Sequence, residues 1–234
     1  MPARKRATSI SPEAKKVRNF RVVCLSDTHG LHHEVQIPAG DILIHAGDMT
    51  NFFQPLERSW EELKSFNDWL GQLPHRHRIV VAGNHDLVFQ KEPKKAKTLL
   101  SNAHYLENSR IELEGIHFWG SPMTPVMASM AFAETSRARS REIWDRIPDD
   151  TDVLITHGPP YGTLDKNDIL GKHQGCQYLT GALLRVRPRL HVFGHIHGGY
   201  GYERAWDHTL LVNCAIVNSR REIAHPPTVV DLTL

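Results

Sequence analysis

Seven side chains of metal-binding type follow short apolar runs in this chain. Phe20-Arg-Val-Val-Cys-Leu-Ser leads into Asp27, Asp41-Ile-Leu-Ile-His-Ala-Gly into Asp48, and Arg78-Ile-Val-Val-Ala-Gly into Asn84. Asp152-Val-Leu-Ile-Thr leads into His157 and Leu190-His-Val-Phe-Gly into His195. His29 and His197 come two residues after Asp27 and His195, a step that puts two side chains on one side of an extended chain. Asp and His at the ends of apolar strands are costly to bury unless a cation or partner compensates. Seven O and N ligands exceed one four-coordinate site and suit two metals sharing a bridging carboxylate. Such a pair clamps an in-line displacement at phosphorus and lowers the pKa of a bridging water toward ~7. Imidazole, amide and carboxylate without thiolate suit Mn, Fe, Zn or Ni rather than Ca or Mg alone. Gly47, Gly83 and Gly194 precede Asp48, Asn84 and His195, where a missing Cβ lets the chain turn sharply and approach an ion.

The elements that must hold these residues are legible as alternating patterns. The apolar runs, bounded by Gly, Pro and Asp, read as strands covered on both faces. Residues 57–70 place Trp60, Leu63, Phe66 and Leu70 on one helical face, opposite Glu61, Glu62, Lys64 and Asp68. Helices are also expected over 134–147, 176–186 and 93–101, the last with Pro93 at its start. Residues 110–120 read as a hairpin turning at Glu114-Gly115, and 228–234 as a final strand. Strands alternating with helices, plus hairpins, imply an α/β sandwich with helices over the sheets. Ligands then bind beyond the carboxyl ends of the strands.

Composition limits the alternatives. A chain of 234 residues, 40% hydrophobic and 23% charged, fits one large α/β domain or at most two small ones. No apolar stretch approaches the roughly 18 residues of a membrane span, and no signal-like apolar run follows the basic start. Cys24, Cys176 and Cys214 form no CxxC and read as free thiols in a reducing, intracellular setting, not as nucleophiles; Cys24 and Cys214 sit in apolar runs, where a thiol acts as a small core residue. Net charge is +2, with Arg4, Lys5, Arg6, Lys15, Lys16 and Arg18 against Glu13 in residues 1–18. That stretch is expected to be a disordered basic arm, a solvated leader first and a nuclear address or polyanion contact second, before a single domain over 19–234. The remaining body is mildly acidic, so nucleic acid is not the expected partner.

Taken in order, Asp27-Thr-His29, Gly47-Asp48, Gly83-Asn-His-Asp86, Thr156-His157-Gly and Gly194-His-Ile-His197 resemble the five motifs of calcineurin-like metallophosphoesterases. The flanks Ile44-His-Ala-Gly-Asp48, Gly158-Pro-Pro160, Arg187-Pro-Arg-Leu-His-Val-Phe-Gly194 and Pro226-Pro-Thr-Val-Val-Asp231 look most like the MPPED-type (UPF0046) phosphodiesterase group. The resemblance covers nearly all of residues 19–234. It implies a four-layer αββα sandwich of two mixed β-sheets flanked by helices. One metal would take Asp27, His29, Asp48 and His197; the other would take Asp48, Asn84, His157 and His195, with Asp48 bridging. Some members of the group carry Gly at the position of His195, so its presence here implies two competent metal sites. His85 would sit beside the substrate phosphate with Asn84, as a protonated imidazole that stabilises charge and protonates the leaving oxygen.

The activity implied is hydrolysis of a small phosphate ester by a metal-bridging hydroxide: a phosphodiester or monoester, with cyclic nucleotides among the candidates. A non-catalytic binding module of the same fold and a nuclease are the alternatives; intact ligands argue against the first and the acidic body against the second. Asp86 reads equally as an orienter of His85 or a helix N-cap, and His45 as support for the site or core packing. Met123, Met127, Met130 and Phe132 read as core or loop cover, with a role at the substrate mouth open. The loop Tyr161–His173 is the other specificity candidate, with Tyr161 available to stack on a base. The other histidines read as structural or surface groups.

Overall fold

The computed structural model describes residues 18–51, 54–125, 130–168 and 171–233. The basic arm, apart from Arg18, and Met127 lie outside the described residues. In chain order the strands are β1 (Asn19–Leu25), β2 (Ile42–Ala46), β3 (His77–Val81), β4 (His104–Tyr105), β5 (Ser109–Leu113), β6 (Ile116–Ser121), β7 (Val153–Thr156), β8 (Leu190–Phe193), β9 (Gly201–Ala205), β10 (Thr209–Asn213) and β11 (Thr228–Thr233). The helices are α1 (Leu56–Gln72), α2 (Leu87–Lys91), α3 (Pro93–Leu99), α4 (Arg137–Asp145) and α5 (Gln177–Val186).

One sheet runs β11-β1-β2-β3-β4 and the other β5-β6-β7-β8-β10-β9. Both are mixed. Strands β1 to β4 are parallel with β11 antiparallel to β1, while β6, β7, β8 and β10 are parallel between antiparallel edges β5 and β9. Alternation along each strand divides its side chains between two cores. Val22, Cys24, Ile42 and Ile44 face Phe118, Ile155, Val192 and Val212 of the other sheet. Val23, Leu25, Leu43 and Val80 turn outward to Leu63, Phe66 and Leu70 of α1 and Val88 and Phe89 of α2. On the opposite flank Trp119, Leu154, Phe193 and Leu211 meet Trp144 of α4 and Leu179 and Leu183 of α5. The result is four layers: helices, sheet, sheet, helices. No helix among the described residues is long and apolar enough to cross a membrane.

Several expectations are adjusted locally. Helix α4 begins at Arg137, not Glu134, because Ser136 caps it by accepting from Arg139 N at 3.4 Å. The hairpin β9–β10 is additional; its turn holds Trp206 and Asp207 at φ 51° and 60°. The three cysteines are free and buried. Burial pushes the Cys24 and Cys214 thiols far above their usual range, which leaves both inert.

Candidate metal centre

The segments after β1, β2, β3, β7 and β8 converge at the carboxyl ends of the strands, in the seam between the sheets. Asp27, His29, Asp48, Asn84 and His85 come from the first sheet; His157, His195 and His197 come from the second. Donor atoms within 4.8 Å of one another form three overlapping groups: Asp27, His29 and His197; Asp48, His157 and His195; His29, Asp48 and His85. Asn84 joins through its Oδ1, 2.9 Å from His157 Nε2. All eight predicted site residues are therefore brought together.

The expected extended geometry of the two i, i+2 pairs is not what positions them. Asp27, His29, Asp48 and His195 have φ of 57°, 42°, 57° and 68°. Left-handed backbone costs an L-residue about 1–2 kcal/mol, so these are tight turns held by their surroundings. Asp27 N donates to Gly47 O at 2.9 Å and His29 N to Asp48 O at 3.0 Å, which laces the first two loops together. Of the three glycines before ligand candidates only Gly47 has positive φ (101°). Gly194 supplies space: a Cβ there would collide with Ser26 Oγ and Asp27 Oδ2.

Hydrogen bonds fix the aim of the donors. His157 Nδ1 lies 2.8 Å from Ala46 O, His197 Nδ1 3.0 Å from Asn218 O and His29 Nδ1 3.4 Å from Thr50 O. A carbonyl only accepts, so each Nδ1 carries a proton and each Nε2 is turned inward. Asn84 Nδ2 donates to Met130 Sδ at 3.3 Å, which turns Oδ1 toward the centre. His157 Nε2 faces Asn84 Oδ1 at 2.9 Å and Asp48 Oδ2 at 3.3 Å, two oxygens that both call for positive charge there. His29 Nε2 and His195 Nε2 are buried with no hydrogen-bond partner among the described residues.

Electrostatics divide the imidazoles. Burial alone would lower the pKa of His157, yet the Asp48 and Asp27 carboxylates raise it to about 9. His197 is raised likewise, its burial outweighed by the bond to Asp27 Oδ1 at 3.5 Å. Both carboxylates are held far below their usual range: burial would raise them, but His197 and His157 reverse this for Asp27, and His157 and His85 for Asp48. Burial drops His29 to about 4 and His195 to about 3 despite the nearby carboxylates. Burial also lowers the pKa of His85, with Asp48 opposing and Arg221 assisting.

The support around the cage went largely unread in the sequence. Asp86 makes no capping bond to α2. Its carboxylate instead accepts from Gly83 N (2.7 Å), Asp48 N (2.9 Å), Met49 N (3.4 Å), Thr50 N (2.9 Å) and Thr50 Oγ1 (2.9 Å). His45 is a support residue: its Nδ1 accepts from Gly47 N at 3.3 Å, so its Nε2–H donates to Thr28 Oγ1 at 3.1 Å, between Asp27 and His29. Asn213 Nδ2 donates to Ile196 O at 2.9 Å and Leu164 O at 3.0 Å, tying the last ligand loop to the 161–175 segment. In that segment the buried Asp165 accepts from Gly162 N (3.0 Å), Gly175 N (2.9 Å) and His173 Nδ1 (2.5 Å).

A cavity of about 300 Å³ opens onto Asp48, Asn84, His85, His195 and His197. Its remaining wall includes Met130, Asn167, Asp168, Gln174, Ser219 and Arg221. Met130 therefore reaches the mouth, whereas Met123 packs in the α4–α5 core and Phe132 against the α1 core. Tyr161, 5.3 Å from the His173 ring, does not line this cavity.

Residues 20–199 match the family model described as calcineurin-like phosphoesterase. The chain is 39% identical over 236 residues to metallophosphoesterase domain-containing protein 1 of Homo sapiens, covering 91% of this chain and 71% of that protein. It is 34% identical to UPF0046 protein K07C11.7 of Caenorhabditis elegans, covering 94% and 77%. In fold it is similar to a dimetal phosphatase from Danio rerio, with TM-score 0.57, 11% identity and coverage of 92% and 98%. The chain is thus a metal-dependent phosphoesterase that belongs to the calcineurin-like metallophosphoesterases, in the group of the MPPED and UPF0046 proteins.

Proposed function

We propose that residues 19–234 act as one domain with a binuclear metal centre that hydrolyses small phosphodiesters, cyclic nucleotides among them. The observation that carries this reading is the pair of buried imidazole nitrogens, His29 Nε2 and His195 Nε2, that have no hydrogen-bond partner among the described residues. Each is a buried polar atom, costly to leave without an electrophile to meet it. The donor set fits divalent Mn, Fe, Zn or Ni, since it is all nitrogen and oxygen. Asp27, His29, Asp48 and His197 would hold one ion, and Asp48, Asn84, His157 and His195 the other. When bound, such a pair supplies an acidified water and neutralises charge on the phosphate.

The chain's own residues do the rest. Asp48 is fixed by His85 N, which donates to its Oδ1 at 2.8 Å, leaving Oδ2 toward His157 and His85. His85 lines the cavity with its Nε2 3.8 Å from Asp48 Oδ2. A phosphate anion seated beside it shifts the imidazole toward imidazolium. The imidazolium then has a proton to give to the leaving oxygen.

Purified protein supplied with Mn²⁺ is expected to release p-nitrophenolate from bis-p-nitrophenyl phosphate. His85→Ala should lower kcat by about 10²–10⁴-fold with metal content retained. Absence of turnover by the wild type with Mn, Fe, Zn and Ni in turn would overturn the reading.

A further inference from the structure

The cavity has a cationic side that neither the ligand cage nor His85 accounts for. After β10 the chain folds back at 218–222, where Arg221 N donates to Asn218 O at 2.9 Å and Asn218 N to Glu222 O at 3.0 Å. Asn218 Oδ1 accepts from Arg220 N at 2.9 Å and Glu222 N at 3.1 Å. This turn holds Arg221 at φ 62°, a left-handed conformation that a residue with a Cβ adopts only under constraint. The outcome is selective: Arg220 is exposed to solvent, while Arg221 is half-buried and lines the cavity beside Asp48, Asn84 and His85. The turn is also built into the cage, because Asn218 O lies 3.0 Å from His197 Nδ1.

We infer that the Arg221 guanidinium binds the non-bridging oxygens of the substrate phosphate, an assignment that rests on the phosphoesterase reading above. The planar fork of a guanidinium matches two phosphate oxygens at once, which a lysine ammonium does not. In a partly enclosed cavity such a charge-assisted contact is worth more than at an open surface. Arg221 thus sets affinity for the phosphoryl group itself.

Arg221→Gln and Arg221→Lys, each loaded with Mn²⁺, test this. Inorganic phosphate is the probe, titrated by calorimetry and as an inhibitor of bis-p-nitrophenyl phosphate hydrolysis. Arg221→Gln should weaken phosphate binding about 10- to 100-fold and lower kcat/KM by a similar factor. Arg221→Lys should recover part of both, with metal content and Tm at wild-type values in each. Unchanged phosphate affinity in Arg221→Gln overturns the inference, as does a loss of affinity that only tracks loss of metal. If the wild type binds phosphate through Arg221 yet turns over no ester, the activity reading fails and this one stands.

Discussion

The Asp86 carboxylate gathers five donors from two loops, four of them backbone N–H groups. An amide of the same shape would bring N–H against N–H at several of those points, and each buried clash of donors costs about 1–3 kcal/mol. Asp86→Asn should therefore lower stability by about 2–4 kcal/mol, read as a shift in the urea midpoint of the chelator-treated protein. A wild-type midpoint would mean the carboxylate does not hold these loops. The eight site residues were legible as residues because type, order and position after apolar runs all pointed the same way. Asp86 and His45 were legible only as open alternatives and Asn218 not at all, because their roles depend on partners that the sequence leaves apart. Asp86 bonds to residues 36–38 positions away, and His197 meets Asn218 O across 21 positions.

At the scale of elements, strands supply direction and the turns beyond them supply aim. The turn before His195 has no room for even one methyl group, since Ser26 Oγ and Asp27 Oδ2 occupy the place a Cβ would take. Gly194→Ala should displace Asp27 and His195 together. Overpacking of this kind costs about 1–3 kcal/mol, and bound metal per chain should fall below the wild-type value by elemental analysis. Wild-type metal content with wild-type Tm would show that the loop absorbs the change. Strands β1, β2, β3, β7 and β8 and the hairpin at Glu114-Gly115 were readable, each from an apolar run or a Gly-containing turn. The β9–β10 hairpin was hidden, because its turn places Trp206 and Asp207 at positive φ where Asn-Gly would normally announce it. The left-handed turns at Asp27, His29 and His195 were equally hidden, since no glycine stands at those positions to announce them.

The whole molecule buries several imidazoles outside the ligand set. Burial lowers His32 to about 4 and His45 and His191 to about 3, against about 6.5 in an unfolded chain. Their folded pKa lies below the unfolded one, so the stability they contribute is complete above pH 6.5. It is lost as pH falls toward 3–4, where the unfolded chain takes up protons that the folded one refuses. Urea midpoints in chelator should drop steadily from pH 7 to pH 4.5. His191→Phe should make that slope shallower by up to about one proton, and an identical slope would rule His191 out as a contributor. β11 pairs along β1 from Asn19↔Thr233 to Cys24↔Thr228, and Thr233 Oγ1 donates to Asn19 Oδ1 at 2.8 Å. On the ribosome, then, β1 must wait for the codons of residues 228–233 before its outer edge finds a neighbour. A nascent chain stalled short of them would carry a bare, sticky strand edge and draw chaperones instead of folding.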